Sequence, residues 1–403
     1  MTKKTFNIIV LVLIHFIGFT QNDSIIIMNM RNDVKFLSSD ELHGRETGTK
    51  YEKKAAKYII NEFKKKGLTP KGTKGFLQKF KTKQSKSHHS TETKTITGMN
   101  VIGYYDNKQK ETIIIGAHYD HIGNGSNHSL SKQKGIHNGA DDNASGVSII
   151  INLIDLIKKY NQYNYLFIGF SGEEKGLLGS SYFTKNPTIN LNNVRYMINL
   201  DMVGRLKDNK LAINGTGTSN KWNKILDDAN IFDFKLIKTE SGMGASDHTS
   251  FYLNNIPSIH LFTGQHEDYH KTSDDYEKIN FNGMYKILMY LDNIIQLSSN
   301  IDDFDFQKTK DTSKKMGKFN VTLGIMPDYM YSGQGVRIDG VSNGKTADKF
   351  GMLKGDIILQ MGENKIDNMV KYMDALNTFQ KGDTTNIKLK RNEEIISTII
   401  TFQ

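Results

Sequence analysis

Residues Ile113–His121 read Ile-Ile-Ile-Gly-Ala-His-Tyr-Asp-His. The β-branched, apolar run predicts a buried strand, and this strand ends abruptly in a histidine and an aspartate, His118 and Asp120. Because ligands in open α/β sheets bind at the carboxyl ends of the strands, the stretch predicts that an imidazole and a carboxylate reach a binding site at one edge of a sheet.

Three later stretches repeat this pattern of a strand followed by an acidic residue, and a fourth adds an imidazole. They are Gly139-Ala140-Asp141-Asp142-Asn143-Ala144-Ser145-Gly146, Phe170-Ser171-Gly172-Glu173-Glu174, Asn199-Leu200-Asp201-Met202 and Tyr269-His270-Lys271-Thr272. Zinc and its first-row neighbours accept imidazole and carboxylate ligands. We therefore predict one metal site, with the candidate ligands His118, Asp142, Glu174, Asp201 and His270.

The predicted strands alternate with helices along most of the chain. Apolar spacing typical of a helix begins at Ala144 and recurs at Leu177–Thr184, Asn220–Ala229 and Phe281–Leu297. Strands alternating with helices predict an α/β fold with a mostly parallel, mixed sheet covered by helices on both faces. A small β-rich module is expected after it.

The composition indicates a soluble globular protein. The chain has 403 residues, 37% apolar and 24% charged, which is typical of a soluble globular protein with two or three domains. The net charge of +10 is interpreted as a solvated basic face rather than a nucleic-acid site, because the densest lysine region, Lys64–Lys86, lacks interleaved aromatic residues. No cysteine is present, so neither a disulfide framework nor thiolate metal ligands are available.

The first residues indicate export. Lys3 and Lys4 precede an apolar run that is too short for a comfortable membrane span. We predict a signal peptide over residues 1–20, with an uncleaved anchor as the alternative, a secreted or periplasmic location, and no stable membrane span after signal removal. The predicted domains are 21–299 for the α/β domain, 300–318 for a linker and 319–403 for the β-rich module.

These motifs resemble the co-catalytic di-zinc aminopeptidase family, which includes bacterial leucyl aminopeptidases and glutamate carboxypeptidase and to which glutaminyl cyclases are more distantly related. The resemblance runs from about Phe36 to Leu297. It implies a fold of the zinc exopeptidase type and two zinc ions per chain. Asp142 would bridge the two ions, and the remaining ligands would be His118 with Asp201 at one zinc and Glu174 with His270 at the other.

The resemblance also implies roles beside the metals. Asp120 matches the carboxylate that orients the ligand histidine. Glu173 would be the general base for a metal-bridged water that attacks the peptide carbonyl, and Tyr269 would donate a hydrogen bond to the oxyanion. Ser246-Asp247-His248 is interpreted as a pocket wall rather than a triad. His121 and His137 are not expected to be ligands.

The C-terminal residues resemble a PDZ domain of the protease-associated bacterial type. The resemblance rests on Thr322-Leu323-Gly324-Ile325, Gly335-Val336-Arg337-Ile338 and Gly355-Asp356-Ile357-Ile358. It implies binding of peptide C-termini by strand addition. Pro327, which offers no backbone N–H to such a ladder, leaves docking against the peptidase as an equal interpretation.

The sequence therefore predicts a secreted zinc-dependent exopeptidase, an aminopeptidase acting on peptide substrates. Within the enzyme class, the alternatives are a carboxypeptidase of the glutamate type and a glutaminyl cyclase. The alternative of another class is a non-catalytic peptide-binding protein that uses the PDZ-like module.

Overall fold

The computed structural model describes residues 23–85, 93–125, 129–131, 134–309, 321–328, 331, 333–341 and 344–403. The predicted signal peptide and the second half of the predicted linker lie outside the described residues. The described residues form two β-sheets, one of nine strands and one of six. Among the described residues, no helix combines the length and apolar character needed to cross a bilayer.

The larger sheet contains strands in the order β1-β3-β5-β4-β6-β9-β7-β8, with β2 paired to β3. Its centre, β5-β4-β6-β9, is parallel, whereas β3 and β7 pair antiparallel with their neighbours β5 and β9. The strands are β1 Thr69–Pro70, β2 Leu77–Ser85, β3 Thr93–Tyr105, β4 Thr112–His118, β5 Asn164–Phe170, β6 Val194–Leu200, β7 Lys210–Asn214, β8 Lys235–Thr239 and β9 Ser258–Phe262.

Helices cover both faces of this sheet, which confirms the predicted fold class. Helix α1 covers residues 23–37. The others are α2 Lys50–Lys65, α3 Gly146–Ile157, α4 Leu178–Lys185, α5 Trp222–Asp228, α6 His248–Tyr252 and α7 Phe281–Ser298, with 3-10 turns at Asp40–Arg45, Leu191–Asn193, Thr216–Thr218 and Tyr276–Lys278. Helices α2, α3, α5 and α7 lie on one face, and α4 and α6 lie on the other.

The isoleucines of β4 explain why both faces are buried. Ile113 and Ile115 belong to the core on the α3 side, and Ile114 between them belongs to the opposite core with Phe183 and Phe251. Successive strand residues point to opposite faces, so an uninterrupted apolar run requires a layer of helices on each side. The carboxyl ends of the central strands then share one open edge.

The chain continues to pack on the α/β domain after α7. Phe304 is buried, with its ring centroid 4.7 Å from that of Trp222 and 4.9 Å from that of Tyr196. Gln307 donates its backbone N–H to Thr218. Residues 301–309 therefore form part of the surface of the domain, although the composition of this stretch had suggested a linker.

The smaller sheet forms a separate antiparallel unit around its own core, in the order β10-β11-β12-β14-β15 with β13 beside β12. Its elements are β10 Ile325–Pro327, β11 Val336–Val341, α8 Thr346–Lys349, β12 Ile357–Met361, β13 Asn364–Lys365, α9 Met369–Leu376, β14 Thr384–Arg391 and β15 Glu394–Thr401. Pro327 lies in the edge strand β10, which agrees with the confinement of proline to sheet edges.

Candidate metal centre

The predicted ligands converge at the carboxyl edge of the central strands. His118 ends β4, while Glu174 and Asp201 follow β5 and β6. Asp142 precedes α3, and His270 lies in the loop after β9. Parallel neighbours bring their carboxyl ends to the same edge, so residues far apart in sequence become neighbours in space.

Asp142 lies between the two histidines. Its Oδ1 is 3.3 Å from His118 Nε2, and its Oδ2 is 3.3 Å from His270 Nε2. His118 Nε2 is also 3.2 Å from Asp201 Oδ1, and His270 Nε2 is 3.0 Å from Glu174 Oε2. The five side chains thus form two groups that share the carboxylate of Asp142.

The turn that carries Asp142 is fixed by hydrogen bonds from its own backbone. Asp274 accepts the N–H groups of Asp141 and Asp142 at 3.0–3.1 Å. A Cβ on Gly139 would lie 2.1 Å from the carbonyl oxygen of Asp142, so this position requires glycine. The peptide bond between Asp142 and Asn143 is cis.

Asp141, the neighbour that could be confused with Asp142, belongs to a different set of contacts. Its Oδ1 accepts the backbone N–H of Gly204 at 2.6 Å, and its Oδ2 lies 3.1 Å from His266 Nε2. The carboxylate of Asp141 therefore contacts Gly204 and His266, whereas that of Asp142 contacts the candidate ligands His118 and His270.

Asp120 connects the end of β4 to the loop that carries Glu173. Its Oδ1 accepts the backbone N–H of Glu173 at 3.2 Å, and its Oδ2 accepts the hydroxyl of Thr47 at 2.7 Å. His118 Nδ1 lies closer to the backbone carbonyl of Asp120, at 3.1 Å, than to its carboxylate, at 3.8 Å. The residue thus contacts both the predicted ligand histidine and the predicted base.

The site concentrates negative charge in a buried place. Burial and the neighbouring carboxylates of Asp201 and Glu174 raise the pKa of Glu173, although the imidazole of His118 opposes this. Burial also tends to raise the pKa of Glu174, but His270 and His121 outweigh it and hold that pKa at about 2. A proton or a cation is needed to neutralise such a cluster.

The donor set fits divalent metal ions of the zinc type. Two groups of at least three donors have their ligand atoms within 4.8 Å of one another, namely His118 with Asp142 and Asp201, and His121 with Asp142 and Glu174. Imidazole nitrogen and carboxylate oxygen are the donors that such ions accept when no thiolate is available. The shared carboxylate suits a pair of ions held side by side.

His121 is the site residue that sequence reasoning missed. It is buried, and its Nδ1 lies 2.6 Å from Glu174 Oε1 and 3.8 Å from Asp142 Oδ2. Its ring meets that of His270 edge to face at 5.8 Å. The available signal was its position directly after Asp120, at the same strand end as His118. His137, by contrast, hydrogen-bonds Ser129 and lies outside the cluster.

Two further predicted residues line the cluster. The ring of Tyr269 stacks on that of His270 at 3.9 Å, and burial with the nearby carboxylates raises the pKa of its phenol. Ser246 donates its hydroxyl to Asp201 Oδ2 at 2.8 Å. Ser246 lines the cavity beside this cluster, whereas Asp247 and His248, which follow it, are buried at the start of α6.

The buried guanidinium of Arg45 connects backbone segments that carry two of the candidate ligands. Arg45 donates to four backbone carbonyls, those of Tyr119 at 2.8 Å, Leu37 and Asn138 at 2.5 Å, and Gly139 at 3.0 Å. Tyr119 follows the ligand candidate His118, and Gly139 begins the turn of Asp142. Arg45 therefore joins the two segments that carry these ligand candidates to the segment after α1.

A cavity of about 600 Å³, including its open mouth, adjoins the cluster. The carboxylates of Asp142, Glu173, Glu174 and Asp201 line one side, with His270 and Tyr269. The other lining residues are Met202, Asn214, Ala245, Ser246, His260, Phe262 and Gln265. The cavity therefore gives access from solvent to the cluster of carboxylates.

Comparison with known proteins agrees with this geometry. Residues 100–294 match the model of peptidase family M28, and residues 304–401 match the PDZ domain. A probable leucine aminopeptidase of Arthroderma otae is 30% identical over 202 residues, which cover 46% of this chain and 53% of the relative. The chain spans only 53% to 60% of the length of this relative and of two further probable leucine aminopeptidases, from Trichophyton verrucosum and Arthroderma benhamiae.

Solved structures share the fold of the larger domain. The aminopeptidase from Aneurinibacillus sp. strain AM-1 superposes with a TM-score of 0.55 at 17% identity, covering 70% of this chain and 96% of that one. A glutaminyl cyclase of Bacteroides thetaiotaomicron gives a TM-score of 0.55 at 19% identity, covering 68% and 98%. Residues 100–294 therefore match peptidase family M28, and residues 304–401 beyond them match the PDZ domain.

Proposed function

We propose that this protein is a zinc-dependent aminopeptidase that releases N-terminal residues from peptides. The observation that carries the proposal is the position of Asp142, whose two oxygens face His118 and His270 at 3.3 Å each. A carboxylate between two such groups is the arrangement expected of a paired metal site in a hydrolase. The family match and the names of the relatives support the same activity.

The residues that would hold the ions are His118 and Asp201 for one, Glu174 and His270 for the other, and Asp142 for both. His121 is an additional candidate at the second position, because its Nδ1 lies beside Glu174. Zinc bound there would polarise the scissile carbonyl and lower the pKa of a water molecule. The proton transfers and the hydrogen bond to the oxyanion would be supplied by protein side chains around the substrate.

Glu173 would accept the proton of the attacking water and deliver it to the leaving amine. Its raised pKa favours a group that can both take up and release a proton. The phenol of Tyr269 stays protonated because its own pKa is raised, so it can donate a hydrogen bond to the developing oxyanion. Asp120 would hold the Glu173 loop in place through the backbone N–H.

We also propose that the protein is exported and that its PDZ domain binds peptides or docks on the peptidase domain. Residues 1–20 would direct secretion or periplasmic export, and a mature N-terminus at Gln21 in the recovered protein would support this. The PDZ domain would bind peptide C-termini or dock on the peptidase. The edge strand β10 would receive an added peptide strand everywhere except at Pro327.

Metal analysis combined with a peptide assay tests the proposed activity. We expect about two zinc ions per chain, release of the first residue from free-amino peptides, loss of release with a chelator, and recovery when zinc is returned. N-acetylated versions of the same peptides should be inert. Release from blocked peptides, or hydrolysis that persists without metal, would contradict the proposal.

A further inference from the structure

We infer that Glu52 of α2 is a positioning residue for the proposed base, and that it acts on Glu173 through the hydroxyl of Ser171. Glu52 and Ser171 are fully buried and are not among the residues that line the cavity, so neither would touch the substrate. The inference rests on the proposed aminopeptidase function, because it assigns a role relative to Glu173. It is carried by the hydrogen bonds of one buried carboxylate.

Glu52 accepts hydrogen bonds from three separate segments. Its Oε1 accepts the hydroxyl of Ser171 at 2.5 Å and the backbone N–H of Met99 at 3.3 Å, and its Oε2 accepts the backbone N–H of Gly48 at 2.6 Å. The phenol of Tyr119 also lies 3.4 Å from Oε1, but it donates to the carbonyl of Met99 at 2.6 Å. One carboxylate therefore joins the turn before α2, strand β3 and the residue that follows β5.

The contact with Ser171 lies at the point where β3 and β5 separate. The ladder between these strands ends at the pair Val101 and Gly169. Beyond it, the N–H of Ser171 donates to the side-chain oxygen of Asn100 at 3.1 Å, and the hydroxyl of Ser171 donates to Glu52. Two buried side chains therefore fix the place at which β5 ends and the next turn begins.

The backbone after Ser171 is held tightly enough to transmit this constraint to Glu173. The carbonyl of Gly172 accepts the N–H of Leu178 at 3.0 Å, and the carbonyl of Glu173 accepts the N–H of Gly176 at 2.8 Å. Gly172 has a φ of +75°, which favours glycine. Such a turn has little freedom to absorb a shift of its first residue, so a displacement of Ser171 should also displace the carboxylate of Glu173.

Apolar packing of α2 does not explain a carboxylate at this position. Burial raises the pKa of Glu52 to about 7, although hydrogen bonds from Ser171 and Gly48 oppose the rise, and the nearby charge of Asp120 adds to it. A buried carboxyl group destabilises the fold unless its hydrogen bonds are made. The contribution of Glu52 therefore lies in the segments that it holds together.

Ser171→Ala removes the hydroxyl and leaves Glu52 its two backbone donors. A misplacement of a reacting group by about 1 Å can lower the rate by about 100-fold. We expect kcat of the zinc-loaded, full chain on a peptide with a free amino terminus to fall by about 10- to 100-fold, with KM and zinc content unaltered. Ser298→Ala removes an equally buried hydroxyl at the end of α7 and should leave kcat unaltered.

Glu52→Gln tests the carboxylate itself and preserves its size. Whichever way the amide is turned, its nitrogen faces the N–H of Gly48 or that of Met99, so one backbone N–H loses its acceptor. The hydroxyl of Ser171 can adapt, because it accepts as well as donates. We therefore expect kcat to fall by about 10-fold, again with KM and zinc content unaltered.

A double-mutant cycle separates positioning of the base from a purely structural role. If Ser171 acts through Glu173, then Ser171→Ala should have little further effect on kcat once Glu173→Gln has removed the base. The free-energy effects of the two substitutions on kcat would then not be additive. An equal fall in kcat in both backgrounds would overturn the inference, because the hydroxyl would then support the reaction by another route.

Hydrogen exchange of the Glu173 amide tests the same link without turnover. This N–H donates to Asp120, and its exchange should accelerate by about 10-fold or more in Ser171→Ala. Unaltered exchange, or unaltered kcat in both Ser171→Ala and Glu52→Gln, overturns the positioning role and leaves the aminopeptidase in place. Failure of the wild-type chain to hydrolyse the peptide overturns the aminopeptidase, whereas faster exchange would still support the link between Ser171 and the Glu173 backbone.

Discussion

The carboxylate of Asp120 accepts the backbone N–H of Glu173 at 3.2 Å. Its second oxygen accepts the hydroxyl of Thr47 at 2.7 Å, and its main-chain carbonyl lies 3.1 Å from His118 Nδ1. One residue therefore contacts the segment of the proposed base, the ring of a proposed ligand and the segment that precedes α2. Its removal should affect both metal binding and proton transfer.

We expect Asp120→Asn to lower zinc affinity and activity by about 10- to 100-fold, the usual effect of losing a group that orients a metal ligand. The amide oxygen can still accept the Glu173 N–H while the amide nitrogen donates to the Thr47 hydroxyl, which also accepts hydrogen bonds, so the variant removes the negative charge of Asp120 and keeps its contacts. Zinc competition and kcat/KM measure the effect. Thr47→Ser, which keeps the hydroxyl, is the matched control. Full activity in Asp120→Asn would show that the negative charge of Asp120 is dispensable.

Glu173→Gln should keep the metal and lose hydrolysis. The substitution preserves size but cannot accept a proton, and general acid–base catalysis alone contributes about 10²–10⁴-fold. We expect a fall in kcat of several orders of magnitude with an unchanged zinc content. Glu267→Gln, at an exposed position near His270, should behave as wild type. Unaltered turnover in Glu173→Gln would mean that another group is the base.

The sequence was sufficient to predict that the five candidate ligands lie together. Four of the five candidate ligands follow an apolar run or precede a helix, His270 lies in the loop after β9, and the parallel centre of the sheet brings those strand ends together. The choice of Asp142 over Asp141 as the candidate ligand also agrees with their contacts. The carboxylate of Asp141 is hydrogen-bonded to Gly204 and His266. Such features depend on strand direction, which local patterns encode.

Other features depend on contacts that no local pattern encodes. His118 and His121 follow the same strand, and only the path of the loop after β4 turns the Nδ1 of His121 toward Glu174. Phe304 lies in a polar stretch, yet it is buried against Trp222 because the chain returns across the domain after α7. Tertiary packing overrides composition at such positions.

Arg45 should be necessary for the geometry of the site although it contacts no proposed substrate. Lysine cannot reach four carbonyls in the plane of a guanidinium, and each buried carbonyl left without a donor costs about 1–3 kcal/mol. We expect Arg45→Lys to lower the free energy of unfolding by about 3 kcal/mol and to weaken zinc binding. Urea unfolding and zinc titration measure both quantities.

The matched control is Arg31→Lys, at an exposed position where the guanidinium lies 4.4 Å from the centroid of the Phe281 ring. A lysine can keep this cation–π contact, so stability should change by less than about 0.5 kcal/mol. If Arg45→Lys were equally mild, the four hydrogen bonds of Arg45 would not be what fixes the turn of Asp142.

Asp33 on α1 should make the stability of the protein depend on pH. Burial raises the pKa of its carboxyl to about 6, and hydrogen bonds from Tyr58 and Asn152 only partly oppose this. The folded state then holds a proton that the unfolded chain has already lost at about pH 5. The contribution of Asp33 to stability therefore falls as the pH rises from its ordinary pKa to about 6.

Asp33→Asn removes this titration, because the amide carries no charge at any pH. Relative to wild type, the free energy of unfolding of the variant should rise by about 2 kcal/mol between about pH 4.5 and about pH 7.5. Loss of a hydrogen bond from Asn152 or Ser148 adds an offset that does not vary with pH, so the slope is the diagnostic quantity. Urea unfolding at several pH values measures it, with the exposed Asp302→Asn as the control. A difference that stays flat or falls with pH would show that the Asp33 carboxyl titrates at or below its ordinary pKa, and that its three hydrogen-bond donors outweigh the cost of burial.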